Sequence, residues 1–284
     1  MNVRYTVPLW STKIFGSNTK QAKSKVDDDM RDNPSQVVHL NHAGASPTSD
    51  AVLRRVIHHL QQEQVLGGYA AKNQCVDELT SVYEKAAALI HASTPGEIAL
   101  VESATVAWTR LFYSFAEYQE HHKETQEKII LVSEAEYAAN LVAACQWART
   151  HPGWSVLAIP SEKGKSGRNS TGKIDLSCLA SILAGTYEVD GKEIDPRCIA
   201  IVCITHVPTN SGIVNPVEQI GTQIAKFNGS TNSIFYLVDA CQSVGHIEIS
   251  VQTIKCSGLV AMVPAASICE AHEERDFFTY EMKF

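Results

Sequence analysis

Three short polar stretches, each written directly after an apolar run, carry the residues of this 284-residue sequence best suited to chemistry: Ser103-Ala104-Thr105, His206-Val207-Pro208-Thr209-Asn210 and Asp239-Ala240-Cys241-Gln242. Asp239 is the most constrained of them. A carboxylate that follows FYLV at the end of a buried strand loses several kcal/mol of hydration unless a cation or a strong donor meets it. A protonated ring nitrogen would meet it; so would local backbone N–H groups, with Asp239 capping the next turn. Ser103 and Thr105 fit two compatible roles, helix N-capping and binding of an anion at the same helix start. The eight cysteines, Cys75, Cys145, Cys178, Cys198, Cys203, Cys241, Cys256 and Cys269, contain no C-x-x-C and no Cys/His ladder. Several lie in apolar runs such as CIAIVCI, where a thiol acts as a small hydrophobe rather than a metal ligand or half of a disulfide. Cys241 and Cys256 flank apolar strands, not the electropositive, partly exposed setting that reactive thiols need.

These residues can meet only if the elements before them line up. Residues 1–36 have neither a strand nor a helix period and read as a flexible leader. From residue 37, Val52, Leu53, Val56, Ile57 and Leu60 recur at helical spacing behind a Ser/Asp start, and Leu79, Val82, Tyr83, Ala86 and Ile90 mark a second helix over about 76–92. STPGEIALVESATVAW reads as a turn, a short strand and a new helix start. Then βαβ punctuation sets in: strands at 128–137, 155–160, 198–207 and 233–241, and helices at 138–150, over IDLSCLASILAG and at 216–229. The segment 161–173 reads as an exposed polar loop. Strands apolar on both faces and alternating with helices predict an α/β fold, a mostly parallel sheet between two helical layers. In such a sheet ligands bind beyond the carboxyl ends of the strands, where the three polar stretches fall.

Composition narrows the function classes. The sequence is 44% hydrophobic and 19% charged, enough to bury a large core. Its 24 Lys and Arg against 31 Asp and Glu give a net charge of -7, which argues against nucleic acid as a partner. It contains no apolar run of about 18 residues and no signal-peptide pattern, so no membrane role is expected and a cytoplasmic protein is.

The runs YLVDACQSVGHIEISVQTIKC (236–256), THVPTNSGIVNPVEQIG (205–221), LNHAGASPTSDAVL (40–53) and EIALVESATVAW (97–108) resemble, in order and spacing, the class V aminotransferase family of pyridoxal-phosphate enzymes. That family includes cysteine desulfurases, selenocysteine lyases and isopenicillin N epimerase-like proteins. The resemblance covers about residues 37–260 and implies the three-layer α/β/α large domain of fold-type I enzymes, over residues 37–263. It implies pyridoxal 5'-phosphate as cofactor, with Asp239 paired to the ring nitrogen and keeping it protonated. Gln242 and Thr209 would bond near the ring hydroxyl, with Asn210 beside them, and Ala104 and Thr105 would hold the phosphate. Tyr137 stands where the family stacks a ring on the cofactor; on its own it reads equally as a core tyrosine at a strand end. Asn41 and His42 fall on the family's substrate-side loop, although His42 alone also fits a structural role. An amino-acid-like substrate, lyase or transferase chemistry and a homodimer are further implications of the resemblance.

The sequence departs from the family at its defining residue. The Schiff-base lysine should lie about two dozen residues after the aspartate, near Ala265, and no lysine stands there. After Asp239 come only Lys255, before the strand that should carry the site, and Lys283, in a segment without a motif. Residues 264–284 have no likeness to the family, and the smaller C-terminal domain does not follow. The expectation is a C-terminally truncated large domain with no catalytic lysine, inactive by itself and binding cofactor weakly and non-covalently. A non-catalytic subunit that pairs with a full-length homologue is the alternative.

Overall fold

The computed structural model describes residues 38–44, 46–164, 170–229, 234–262 and 281–282. The expected leader, most of the expected tail and the Ala265 position lie outside the described residues. The chain divides into two units, Met1–Pro47 and Thr48–Phe284. In the first, Asn41 C=O accepts from Gly44 N–H at 3.2 Å, and the His39 and His42 rings meet edge to face with centroids 4.7 Å apart.

The second unit opens with three helices, α1 (Asp50–Leu66), α2 (Gly68–Gln74) and α3 (Val76–Leu89). Ser49 is the N-cap of α1, its hydroxyl accepting from Val52 N–H at 3.3 Å. Gly67, at φ 78°, ends α1 in a conformation that side chains rarely adopt. Next come α4 (Ala104–His122), β1 (Lys128–Ser133), α5 (Ala138–Thr150) and β2 (Trp154–Ile159). They are followed by β3 (Ser161–Lys163), β4 (Ser170–Ile174), α6 (Leu176–Ala184), β5 (Glu188–Val189), β6 (Lys192–Glu193) and β7 (Ile199–Thr205). The described chain closes with α7 (Val217–Asn228), β8 (Phe235–Asp239), α8 (Val251–Ile254), β9 (Gly258–Ala261) and β10 (Glu281–Met282).

The main sheet runs β10-β9-β8-β7-β1-β2, parallel from β9 to β2, with β10 antiparallel on β9. The strand sequence explains the layering. Along β7, Val202 and Ile204 face a core shared with Leu179, Ile182, Ile220 and Ile224 of α6 and α7. Ile201 and Cys203 face the opposite core, with Trp108, Leu111 and Phe112 of α4 and Trp147 of α5. Every β7 residue is buried because helices cover both faces, which is what an unbroken apolar run requires.

Two expectations change. The short strand before residue 103 reduces to a 3-10 turn at Pro95–Glu97 and a single bridge residue, Ala99. Ile98 and Leu100 still pack on the core, but without a neighbouring strand to pair along their length. Within the segment 161–173 expected as a polar loop, residues 161–163 and 170–173 belong to the antiparallel β3–β4 pair, with Ser161 opposite Ile174; Ile174 is buried and anchors the pair.

Candidate functional site

Chain order reverses between β1 and β7: β2 lies outward on one side of β1, while β7, β8 and β9 run outward on the other. Such a reversal opens a crevice at the carboxyl ends of the two strands. Ser133 ends β1, Thr205 ends β7, and Asp239 ends β8 in register with Thr205. The β1–α5 turn fills the same end, and its residues tie the three strand ends together.

Glu136 is the hub of that turn. Its carboxyl accepts from Ser133 Oγ at 2.9 Å, Thr205 N–H at 3.0 Å, Asn140 Nδ2 at 3.0 Å and Tyr137 N–H at 3.3 Å, and bonds the Thr205 hydroxyl. Desolvation holds the Glu136 carboxyl above the ordinary glutamate range; its hydrogen bonds oppose that shift, and the Asp239 charge adds to it. The Asn140 nitrogen carries two N–H groups. It donates to Glu136 Oε1 and, at 2.7 Å, to Asp239 Oδ2, so one buried amide bridges two carboxylates.

Asp239 is 6% exposed. Oδ1 accepts from Cys241 N–H at 3.0 Å, so the turn-capping role open at the sequence level is realised, and Oδ2 takes the Asn140 amide. A carboxylate has about four lone-pair sites, which leaves capacity for a further donor. His206 is buried next to it: its N–H donates to Asp239 C=O at 2.8 Å, and Nδ1 lies 3.0 Å from Ser243 Oγ. Burial lowers His206 to about 4, so the ring is neutral at physiological pH.

The other sequence-derived positions fall as follows. Tyr137 is the N-cap residue of α5; its N–H donates to Thr205 Oγ1 at 3.2 Å, and the residue is 49% exposed, so it is not a core tyrosine. Ser103 caps α4 by accepting from Val106 N–H at 3.2 Å. Ala104 and Thr105 form the first turn of α4, where backbone N–H groups have no acceptor within the helix. Gln242 is half-buried in the turn after Asp239. Thr209 and Asn210 are exposed on the turn after β7, closed by Gly212 N–H on Pro208 C=O at 2.8 Å. Asn41 and His42 belong to the first unit. Lys255 ends α8 at φ 57°, ahead of Gly258 in β9, and so lies at the amino end of the parallel strands, whereas Asp239 lies at their carboxyl end. Sequence reasoning passed over Glu136 and Asn140. Their signal was two polar residues one helical turn apart, directly after an apolar strand.

A parallel sheet between helical layers, with a polar network at its reversal point, defines an α/β protein of the open-sheet kind. The profile of the aminotransferase class-V family matches residues 38–261, and the chain belongs to that family. Members of the family are pyridoxal-phosphate enzymes. A probable cysteine desulfurase from Synechocystis sp. (strain ATCC 27184 / PCC 6803 / Kazusa) is 27% identical over 228 residues, 79% of this chain and 47% of the relative. A cysteine desulfurase of Yersinia pestis bv. Antiqua (strain Angola) is 26% identical over 236 residues, 79% of this chain and 49% of the relative. The chain thus spans about half the length of these curated relatives. Among solved structures, a NifS-like protein superposes with a TM-score of 0.62 at 18% identity, over 85% of this chain and 57% of the other. The apo cysteine desulfurase from Thermococcus onnurineus NA1 gives 0.64 at 15% identity, over 90% and 56%. Both share the fold. No helix among the described residues is long and apolar enough to cross a membrane.

Proposed function

We propose that residues 38–261 form a pyridoxal-phosphate-binding large domain that holds its cofactor weakly and without a covalent bond. The observation that carries this reading is the buried Asp239 carboxylate, oriented by Asn140 and Cys241 N–H and with lone pairs to spare at the strand-end crevice. When bound, the cofactor supplies an electron-accepting ring for amino-acid substrates. Asp239 would hold the ring nitrogen protonated, and the exposed Tyr137 ring would offer a stacking face. The first turn of α4, at Ala104 and Thr105, would bind the phosphate through backbone N–H groups. Gln242, Thr209 and Asn210 would bound the ring hydroxyl side.

The residues present fit the ring and the phosphate. A lysine is missing from the sequence at the expected place, and Lys255 precedes β9 at the amino end of the strands, away from Asp239. The chain by itself is therefore inactive in desulfurase, epimerase or transaminase chemistry. A cytoplasmic setting accords with the described cysteines, none of which is joined in a disulfide. The test is titration with pyridoxal phosphate followed by borohydride reduction and peptide mapping. The expected result is a weak, saturable quench of protein fluorescence with no residue labelled stoichiometrically. A single lysine fixed to the cofactor, with a stable band at about 410–430 nm, would overturn it.

A second reading, a non-catalytic subunit paired with a full-length homologue, is favoured by Val65 and Tyr69, which are 80% and 92% exposed at the α1–α2 junction. Such apolar exposure suits a covered surface. Light scattering of the chain mixed with a full-length class V protein checks it; two non-interacting species would remove it.

A further inference from the structure

Away from the sheet, α1 and α3 border a cavity of about 400 Å³ that none of the roles above uses. Its polar wall holds Arg55, His59, Cys75 and Glu78; Leu60 and Leu79 contribute to its apolar side. Cys75 ends α2 and is the N-cap residue of the 14-residue α3. Its Sγ lies 3.8 Å from His59 Nδ1, 3.5 Å from Arg55 Nη2 and 3.9 Å from Gln62 Oε1. His59 Nε2 lies 3.4 Å from Glu63 Oε1. Arg55 also pairs with Glu78 through Nη2, while its Nη1 is buried with no hydrogen-bond partner among the described residues.

These groups have the order of an activated nucleophile: a thiol, a base within reach of it, and a carboxylate 3.4 Å from the other ring nitrogen of that base. Glu63 on Nε2 favours the tautomer with Nε2–H, which leaves Nδ1 free to accept the thiol proton. The N-terminus of α3 and the Arg55 guanidinium lie beside Sγ, with Glu78 paired to that guanidinium. A buried guanidinium N–H left without an acceptor is costly in a finished core. Nη2 of the same guanidinium lies 3.5 Å from Sγ, which puts a cation beside a carbonyl oxygen that becomes negative during attack.

We propose that Cys75 is an acyl-accepting thiol for activated esters or thioesters of short apolar acids. The thiol proton passes to His59 Nδ1 as Sγ attacks the carbonyl carbon, and the Arg55 guanidinium beside Sγ stabilises the charge on the carbonyl oxygen. The new C–S bond stays with the protein. The bond to the leaving group breaks, and the alcohol or thiol departs with the electron pair, taking up the proton from His59. Leu60 and Leu79 bury the acyl chain. This site shares no residue with the cofactor crevice and does not depend on it.

The test treats the full chain with p-nitrophenyl butyrate, following p-nitrophenolate release and mapping butyryl-modified peptides by mass spectrometry. Cys75 is expected to be acylated about tenfold or more faster than Cys145, an exposed cysteine of the same chain, and to lose that advantage in urea. Cys75→Ser should abolish the fast release, and His59→Gln, which keeps the side chain polar, should slow it by about tenfold or more. Acylation of Cys75 no faster than that of Cys145 in the native chain, or an unchanged rate in a folded His59→Gln variant, overturns the proposal. The comparison of two cysteines within the unaltered chain decides the matter even if a variant does not fold.

Discussion

The Asn140 side-chain amide donates to Asp239 Oδ2 across 2.7 Å, joining the first turn of α5 to the end of β8. The same nitrogen also serves Glu136, so removing it leaves two buried carboxylates facing each other with one donor fewer apiece. Asn140→Ala should cost about 1–3 kcal/mol, the range for an orphaned buried polar group. Asn140→Asp, which puts a third carboxylate in the cluster, should cost more. Urea unfolding of the parent and the two variants checks the order, and an Asn140→Ala midpoint equal to the parent's would show that the bridge contributes nothing.

Asp239→Asn keeps the shape and removes the charge that would meet a protonated ring nitrogen. A charge-assisted hydrogen bond contributes about 1.5–3 kcal/mol, so affinity for pyridoxal phosphate should fall about tenfold or more. Fluorescence titration of both proteins measures it. Unchanged affinity would place the cofactor away from Asp239.

His206 gives the fold an acid limit. Its value is lowered to about 4 by burial, below the ordinary 6.5. A group depressed in the folded state contributes stability that is present above its unfolded value and lost as pH falls through the folded one. The loss should therefore develop from about pH 6.5 down to about pH 4, reaching up to about 3 kcal/mol. His206→Gln, neutral throughout, should show a flatter midpoint-against-pH curve across that window in urea unfolding. Parallel curves for the two proteins would assign the acid sensitivity elsewhere.

Gly221 allows α7 to pass close to α8. A Cβ built there would lie 1.8 Å from Ile254 C=O, a backbone atom that has no rotamer to escape into. Gly221→Ala should cost about 3 kcal/mol or more, at or above the usual overpacking range, because the helix itself must move. Thermal unfolding by circular dichroism reads this directly; a midpoint within a degree or two of the parent would contradict the close approach.

The sequence alone determined which segments are strands and helices wherever a local period carries that information. The apolar run CIAIVCI reads as a strand covered on both faces, and β7 is one. The same reading failed at EIALVE, because pairing needs a neighbour at the right distance and apolar content alone does not provide one. Along α1 the spacing of Leu53 and Leu60 made a helix, yet those side chains remain 51% and 57% exposed. Amphipathic spacing dictates a face; whether something covers it depends on the rest of the assembly.

Asp239 was legible because a carboxylate after a buried strand contradicts its surroundings in one dimension. Its partner was not, since Asn140 lies 99 residues earlier and meets it only through the parallel order of β1, β7 and β8. The cavity thiol has the same origin: Cys75 and His59 stand 16 residues apart and face each other only because the chain turns back between α1 and α3. Local patterns follow from side-chain periodicity along one element, whereas the bridging of charges and the pairing of a thiol with a base depend on register between elements. That register is decided by how the sheet and helices pack.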